Sequence, residues 1–180
     1  GLNPTISSSQ LRIAILKFMQ KNPNKSWLEI LIRILKDPDL IILNTVCDAL
    51  ISISKSFEIE QQYLDKIDED FQHLAQQAFQ LHKFKEDLEN DLDTTLIHDH
   101  IDSDLNKITP VLLKLGTLDK PEIPIETYIQ YLKGKDLDLM PLVLELVDST
   151  FSPSNRKVTL PLIDPDTNAV KAGKELFPSM

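Results

Sequence analysis

Apolar residues recur at intervals of three and four along much of the chain, and this spacing predicts a series of α-helices. The first predicted helix starts at a serine cap at position 7, 8 or 9, because a serine side chain can bond the free amides of a first helical turn. It ends near residues 22–24, where the sequence Asn-Pro-Asn interrupts the pattern. Its apolar stripe consists of Leu11, Ile15, Phe18 and Met19.

The second and third predicted helices are separated by a short polar turn. Ser26 and Glu29 have the spacing of a capping box, in which each side chain bonds a free backbone amide at the helix start. The helix ends at Lys36, because Pro38 follows and residues before a proline avoid the helical conformation. A third helix is predicted from about residue 40 to residue 55.

A long polar helix with a narrow apolar seam is predicted from about residue 58 to residue 90. The seam follows alternating steps of three and four residues, which is typical of coiled-coil-like contact. Packing against other helices of the same chain would bury the seam, and so would dimerisation of two chains through it. The seam residues are Leu64, Ile67, Phe71, Leu74, Ala78, Leu81 and Leu88.

Two segments of the chain resemble each other. Residues 28–54 align without a gap with residues 125–151, and each segment predicts a helix, a polar turn and a second helix. The first copy, with its turn at Asp37-Pro38-Asp39, resembles the HEAT and armadillo-like repeats, and the resemblance implies protein or peptide recognition. The eight identical pairs are Glu29/Glu126, Ile32/Ile129, Leu35/Leu132, Lys36/Lys133, Asp39/Asp136, Leu40/Leu137, Val46/Val143 and Ser52/Ser149.

The end of the chain differs in character from the rest. Four prolines occur in the twenty-eight residues after Ser152, and helical periodicity is lost. We therefore expect a helical-repeat-like domain over residues 1–151 and an extended tail or linker over residues 152–180. The apolar run at residues 158–163 could pack across the last helices and cover the end of the stack.

Composition favours helix throughout. The chain has only four glycines and 6% aromatic residues, and its abundant leucine, lysine and glutamine favour helices. We expect an all-α fold, either an irregular HEAT/armadillo-like helical repeat domain or a helical bundle, with about seven helices and an extended C-terminal tail.

The net charge of −9 is concentrated in the middle of the chain. Residues 56–105 carry fourteen acidic and three basic side chains, which disfavours nucleic acid and anionic membranes as partners because phosphate binding requires clustered cations. Asp65, Asp68 and Asp70 are candidate contacts for a protein partner with a basic surface. A solvated helix face that maintains solubility is the structural alternative.

Two tyrosines form a second candidate site. Tyr128 and Tyr131 lie on the first helix of the later repeat-like segment, where aromatic rings could anchor a peptide in a groove or pack in the core. The single cysteine, Cys47, lies in an apolar stretch and is expected to be buried. An unpaired cysteine without a secretory signal indicates a cytoplasmic or nuclear domain, and the initial glycine indicates part of a larger protein.

One cluster of potential metal ligands stands out. It precedes or overlaps a helix predicted to open at residue 102, 103 or 109 and to end near Gly116. The His98-Asp99 dipeptide is similar to that of the HD-type metal phosphohydrolases, which would need His73 or His82 and a distant aspartate as further ligands. On a helix, His98 and His100 point about 200° apart, whereas His98 and Asp102 share a face. A loop could bring the whole cluster together. The cluster contains His98, Asp99, His100, Asp102 and Asp104.

These patterns predict a non-enzymatic protein-binding or scaffolding module without cofactor, metal or catalytic residues. Two alternatives stay open, namely a domain that dimerises through the seam helix and an HD-type metal-dependent hydrolase. The sequence contains no glycine-rich phosphate loop and no GxSxG nucleophile motif.

Overall fold

A computed structural model describes residues 8–88, 94–134 and 138–178, and these residues contain nine α-helices and no strand. The predicted all-α class is confirmed, with two helices more than the seven expected. None of the described helices combines the length and the apolarity needed to cross a lipid bilayer. The helices are α1 (Ser8–Lys21), α2 (Leu28–Ile34), α3 (Leu40–Ser54), α4 (Gln61–Leu88), α5 (Thr95–Leu115), α6 (Ile125–Gly134), α7 (Met140–Thr150), α8 (Pro153–Ile163) and α9 (Ala169–Leu176).

Two polar side chains position the α2–α3 pair. Asn24 starts a 3₁₀ turn over Lys25–Trp27 by accepting a hydrogen bond of 2.9 Å from the Ser26 amide. The predicted capping box is therefore wrong, because Ser26 lies inside this turn and α2 begins after Trp27 without a side-chain cap. Asp39 caps α3 by accepting from the amides of the residues two and three positions further on.

The prediction of an extended C-terminal tail is wrong. Ser152 accepts a hydrogen bond from the Asn155 amide, and Pro153 occupies the first turn of α8. Backbone amides in a first turn have no partner within the helix, so the absence of an N–H in proline removes no hydrogen bond there. Asn168 caps α9 in the same way, by accepting from the Lys171 amide. Of the four prolines after Ser152, Pro153 starts α8, Pro165 and Pro178 lie in turns, and Pro161 lies in the interior of α8.

The central part of the α4 seam is buried inside the domain, whereas Leu64, Leu81 and Leu88 are half-buried. Helices α2, α5, α8 and α9 all contact α4, so the intramolecular alternative accounts for the burial of the seam. Two ring contacts fix the later helices to it, because Phe71 meets Phe151 with centroids 6.1 Å apart and Phe79 meets Phe177 at 5.8 Å. The buried α4 residues are Ile67, Phe71, Leu74, Ala75, Ala78 and Phe79.

Gly116 permits the close approach of α5 to the end of α7. The glycine is the C-cap of α5, and the ring of Phe151 lies over its Cα. A methyl group added at Gly116 would lie 2.3 Å from two ring carbons of Phe151.

The two repeat-like hairpins are present as the contacting pairs α2–α3 and α6–α7, whereas their assignment to the HEAT or armadillo-like class stays a prediction.

Candidate functional site

The three predicted acidic contact residues have different environments. Asp65 is exposed and accepts a hydrogen bond of 2.8 Å from the Gln61 side chain. Asp68 is half-buried and accepts one of 2.7 Å from the side chain of Asn155 on α8. Asp70 is half-buried and lines a groove beside α2. The three carboxylates therefore differ in exposure and in hydrogen-bond partners.

Asp68 belongs to a small polar network that joins α4 to α8. Asn155 is buried, and its amide donates to Asp68 while its carbonyl accepts from Gln72 at 2.8 Å. A buried amide needs such partners, because an unsatisfied one costs about 1–3 kcal/mol. The position of Asn155 in the segment expected to be extended concealed this network at the level of sequence.

A groove runs between the α2–α3 pair and α4, and we call it the α2/α4 groove. It consists of two adjoining depressions of about 370 and about 400 Å³, and Lys36 and Asp70 line both of them. Buried apolar side chains line its floor, while charged and polar side chains form its rim. The floor residues are Ile32, Leu35, Leu43 and Leu74, and the rim includes Glu29, Arg33, Tyr63, Lys66, Glu69, His73 and Gln77.

Asp70 is the central polar group of the α2/α4 groove. Burial raises the pKa of its carboxyl group, and the nearby charge of Lys36 opposes this effect only in part. No hydrogen bond to the Asp70 carboxylate forms within residues 8–88, 94–134 and 138–178. An ionised oxygen that is partly removed from water and lacks a donor is well placed to receive a donor from a ligand.

Tyr128 and Tyr131 lie away from this groove on α6. Their rings contact each other edge to face with centroids 6.0 Å apart, and both rings pack against the core. Each is half-buried. This arrangement fits the packing role better than the peptide anchor.

Sequence reasoning missed a buried lysine. Lys114 interrupts the apolar run at the end of α5, which is the only signal in the sequence, and its side chain is 5% exposed. Its ammonium group pairs with Asp48 of α3 and with Glu126 of α6 at 3.0 Å, and it donates to Asn44 at 3.1 Å. Burial lowers the Lys114 pKa, but the two carboxylates outweigh it and the net shift is upward. Lys114 therefore connects the two repeat-like hairpins.

The candidate metal ligands are spread along α5, which begins at Thr95, earlier than expected. Asp102 pairs with Lys85 at 2.5 Å, and His100 lies 3.6 Å from Asp104. In the described part of the chain, no three histidine, cysteine or carboxylate side chains converge on a possible metal position. The arrangement therefore gives no support to the HD-type alternative.

Cys47 is buried, as predicted, and desolvation raises the pKa of its thiol far above the ordinary value. A thiol in this environment stays protonated and unreactive at neutral pH. Cys47 lies on α3 and packs in the hydrophobic core of the domain.

Comparison of the chain with protein-family models, with curated proteins and with solved structures found no match in any of the three cases.

Proposed function

We propose that this domain is a non-enzymatic protein-binding module, irregular and HEAT/armadillo-like, that holds a segment of a partner protein in the α2/α4 groove. The observation that carries the proposal is the half-buried Asp70 carboxylate, which lies over an apolar floor and receives no hydrogen bond from the described residues. The unpaired Cys47 supports a cytoplasmic or nuclear setting.

The groove favours a peptide that combines a cation with apolar side chains. A lysine or arginine of the partner would donate to Asp70, and hydrogen bonds to charged groups contribute about 1.5–3 kcal/mol. Apolar neighbours of that cation would cover Leu35 and Leu74 on the floor. Since Lys36, Lys66 and Glu69 give the rim both signs of charge, selectivity depends on placing the cation at Asp70 rather than on net charge.

Charge reversal at Asp70 is expected to abolish selective peptide binding. A display library of random twelve-residue peptides, selected on the immobilised wild-type domain, should yield a consensus of lysine or arginine flanked by apolar residues. Synthetic consensus peptides should then bind Asp70→Lys at least about tenfold more weakly, because the charge-assisted bond is replaced by repulsion. Isothermal titration or fluorescence anisotropy measures the difference.

Asp65→Lys is the matched control, because it makes the same charge change on the same helix at an exposed position that does not line the groove. It should retain wild-type affinity. Selection without any consensus, or equal loss in both variants, would contradict the groove as the binding site.

Asp70→Asn is expected to leave the fold at least as stable as that of the wild type at pH 7. Since burial raises the folded-state pKa of Asp70 above its ordinary value of 3.8, the ionised carboxylate destabilises the fold. This effect is absent below pH 3.8 and grows as the pH rises through the folded-state pKa. An asparagine side chain does not titrate, so at pH 7 the variant should melt at the same or a higher temperature than wild type, and this advantage should disappear at pH 3. Thermal unfolding followed by circular dichroism checks the trend; an advantage that instead grew on acidification would contradict it.

A further inference from the structure

The predicted apolar stripe of α1 is mostly exposed. Leu16 faces α3 and is buried, with Ile13 packed beside it, whereas the opposite side carries three large apolar side chains. Leu11, Ile15 and Phe18 are 55%, 47% and 59% exposed and follow the i, i+4, i+7 spacing of one helix face. We call these three residues the α1 stripe. Exposed apolar residues that form a continuous face commonly mark an interaction surface.

A second exposed apolar group lies at the tip of the α4–α5 hairpin. The end of α4 and the start of α5 are adjacent, as shown by the hydrogen bond of 3.4 Å that the Thr94 hydroxyl donates to the Leu88 carbonyl. Phe84, Leu96 and Ile97 are 50%, 84% and 44% exposed, and we call them the tip patch.

Two members of the tip patch are turned away from an ion pair that joins α4 and α5. This ion pair forms between Lys85 and Asp102. At about 100° per residue, Phe84 is rotated by about 100° from Lys85, and Ile97 by about 140° from Asp102. Phe84 and Ile97 therefore both point away from the ion pair.

The surroundings of the two patches carry opposite charge. The first acidic residue of the chain is Glu29, so α1 carries three basic and no acidic side chains. Arg12 pairs with Asp37, while Lys17 and Lys21 are exposed on α1. The described residues around the tip patch, 84–88 and 94–106, carry five acidic side chains and one basic side chain. Opposite charge around two apolar patches favours their mutual contact and disfavours contact of each with itself.

We propose that copies of this chain associate head to tail, with the α1 stripe of one copy packed on the tip patch of the next. α1 packs on α3, whereas the tip lies at the far end of α5 from the α3 contact at Lys114, so one molecule can use both surfaces at once. Such a heterologous contact produces rings or open chains rather than a closed symmetric dimer. With three apolar anchors on each side the interface is small, and its dissociation constant should be micromolar or weaker.

Sedimentation velocity on the full chain tests this arrangement. The wild type should show a weight-average mass that rises with concentration, and added salt should weaken the association by screening the opposite charges. Leu11→Gln/Ile15→Gln in the stripe and Leu96→Gln/Ile97→Gln in the tip patch should each be monomeric. An equimolar mixture of the two variants should form dimers and nothing larger, because only one intact interface can form between them.

Ile41→Gln/Leu142→Gln is the control, since both residues are exposed apolar side chains outside the two patches, and it should associate like the wild type. Circular dichroism verifies that all variants are folded. A wild type that stays monomeric at the highest soluble concentration overturns the proposal. Self-association that survives in either single-patch variant overturns it too, because this would indicate a stripe–stripe or patch–patch dimer. Peptide binding in the α2/α4 groove is measured separately and does not depend on either outcome.

Discussion

Removal of residues 153–180 is expected to abolish cooperative folding of this domain. The deletion takes away α8 and α9, which contact α4 along its length. It uncovers Phe79, whose ring meets Phe177, and removes Val158, Ile163 and Val170 from the core. Each such side chain contributes roughly 1.5–3 kcal/mol on burial, and their sum is comparable with the total stability of about 5–15 kcal/mol for a typical domain.

Urea unfolding of the truncated chain should lack a sharp transition, and the chain should bind a hydrophobic dye in buffer. Phe79→Ala in the full chain provides an intermediate case, with an expected loss of about 3–5 kcal/mol and a preserved transition. Glu175→Ala on the exposed side of α9 should change stability by less than about 0.5 kcal/mol. A truncated chain that unfolds cooperatively at the wild-type midpoint would show that residues 153–180 act only as a linker.

Asp48→Ala is expected to destabilise the domain by about 3 kcal/mol, because it leaves the ammonium group of Lys114 buried with a weaker set of partners. Glu126 and Asn44 still contact Lys114, but the Glu126 side chain is 63% exposed and its charge is screened by water. Desolvation, which lowers the Lys114 pKa, is then opposed by fewer groups. Chemical denaturation at pH 7 measures the loss.

The double variant Asp48→Leu/Lys114→Met separates a buried-charge effect from general damage to the core. Replacing both members of a buried pair with apolar side chains of similar size is often close to neutral, so most of the lost stability should return. Glu29→Ala, which breaks the exposed pair with Arg33, is the matched control and should cost less than about 1 kcal/mol. If the double variant is less stable than Asp48→Ala, Lys114 does not act through its charge.

Local signals located most of the helices correctly. The third and fourth predicted helices agree with α3 and α4 to within a few residues, because apolar periodicity is a property of neighbouring residues. The same kind of signal was wrong after Ser152. Proline density there indicated an extended chain, although Pro153 opens α8 and Pro165 lies in the turn before α9. The number of prolines was misleading, and their positions relative to the caps at Ser152 and Asn168 were decisive.

The surroundings of the three candidate acidic residues were not predictable from the sequence. The density of negative charge indicated Asp65, Asp68 and Asp70 as one group. In the structure, Asp68 accepts a hydrogen bond from Asn155 of α8, whereas Asp70 lines the α2/α4 groove. Both outcomes depend on which helix packs beside α4. The sequence of α4 contains no information about that neighbour, because i, i+3 and i, i+4 spacing specifies only a shared face.

The linear order of residues is sufficient to predict that this chain is all-α, that Cys47 is buried and that the long fourth helix carries an apolar seam. These properties follow from interactions within about one helical turn. Tertiary packing selects among faces that are equally apolar, and it buries Leu16 of α1 while leaving Phe18 exposed. It also encloses Lys114 between two distant carboxylates and leaves Asp70 in a groove without a donor from the described residues. Those features arise from contacts between residues up to 70 positions apart, for which local spacing carries no signal.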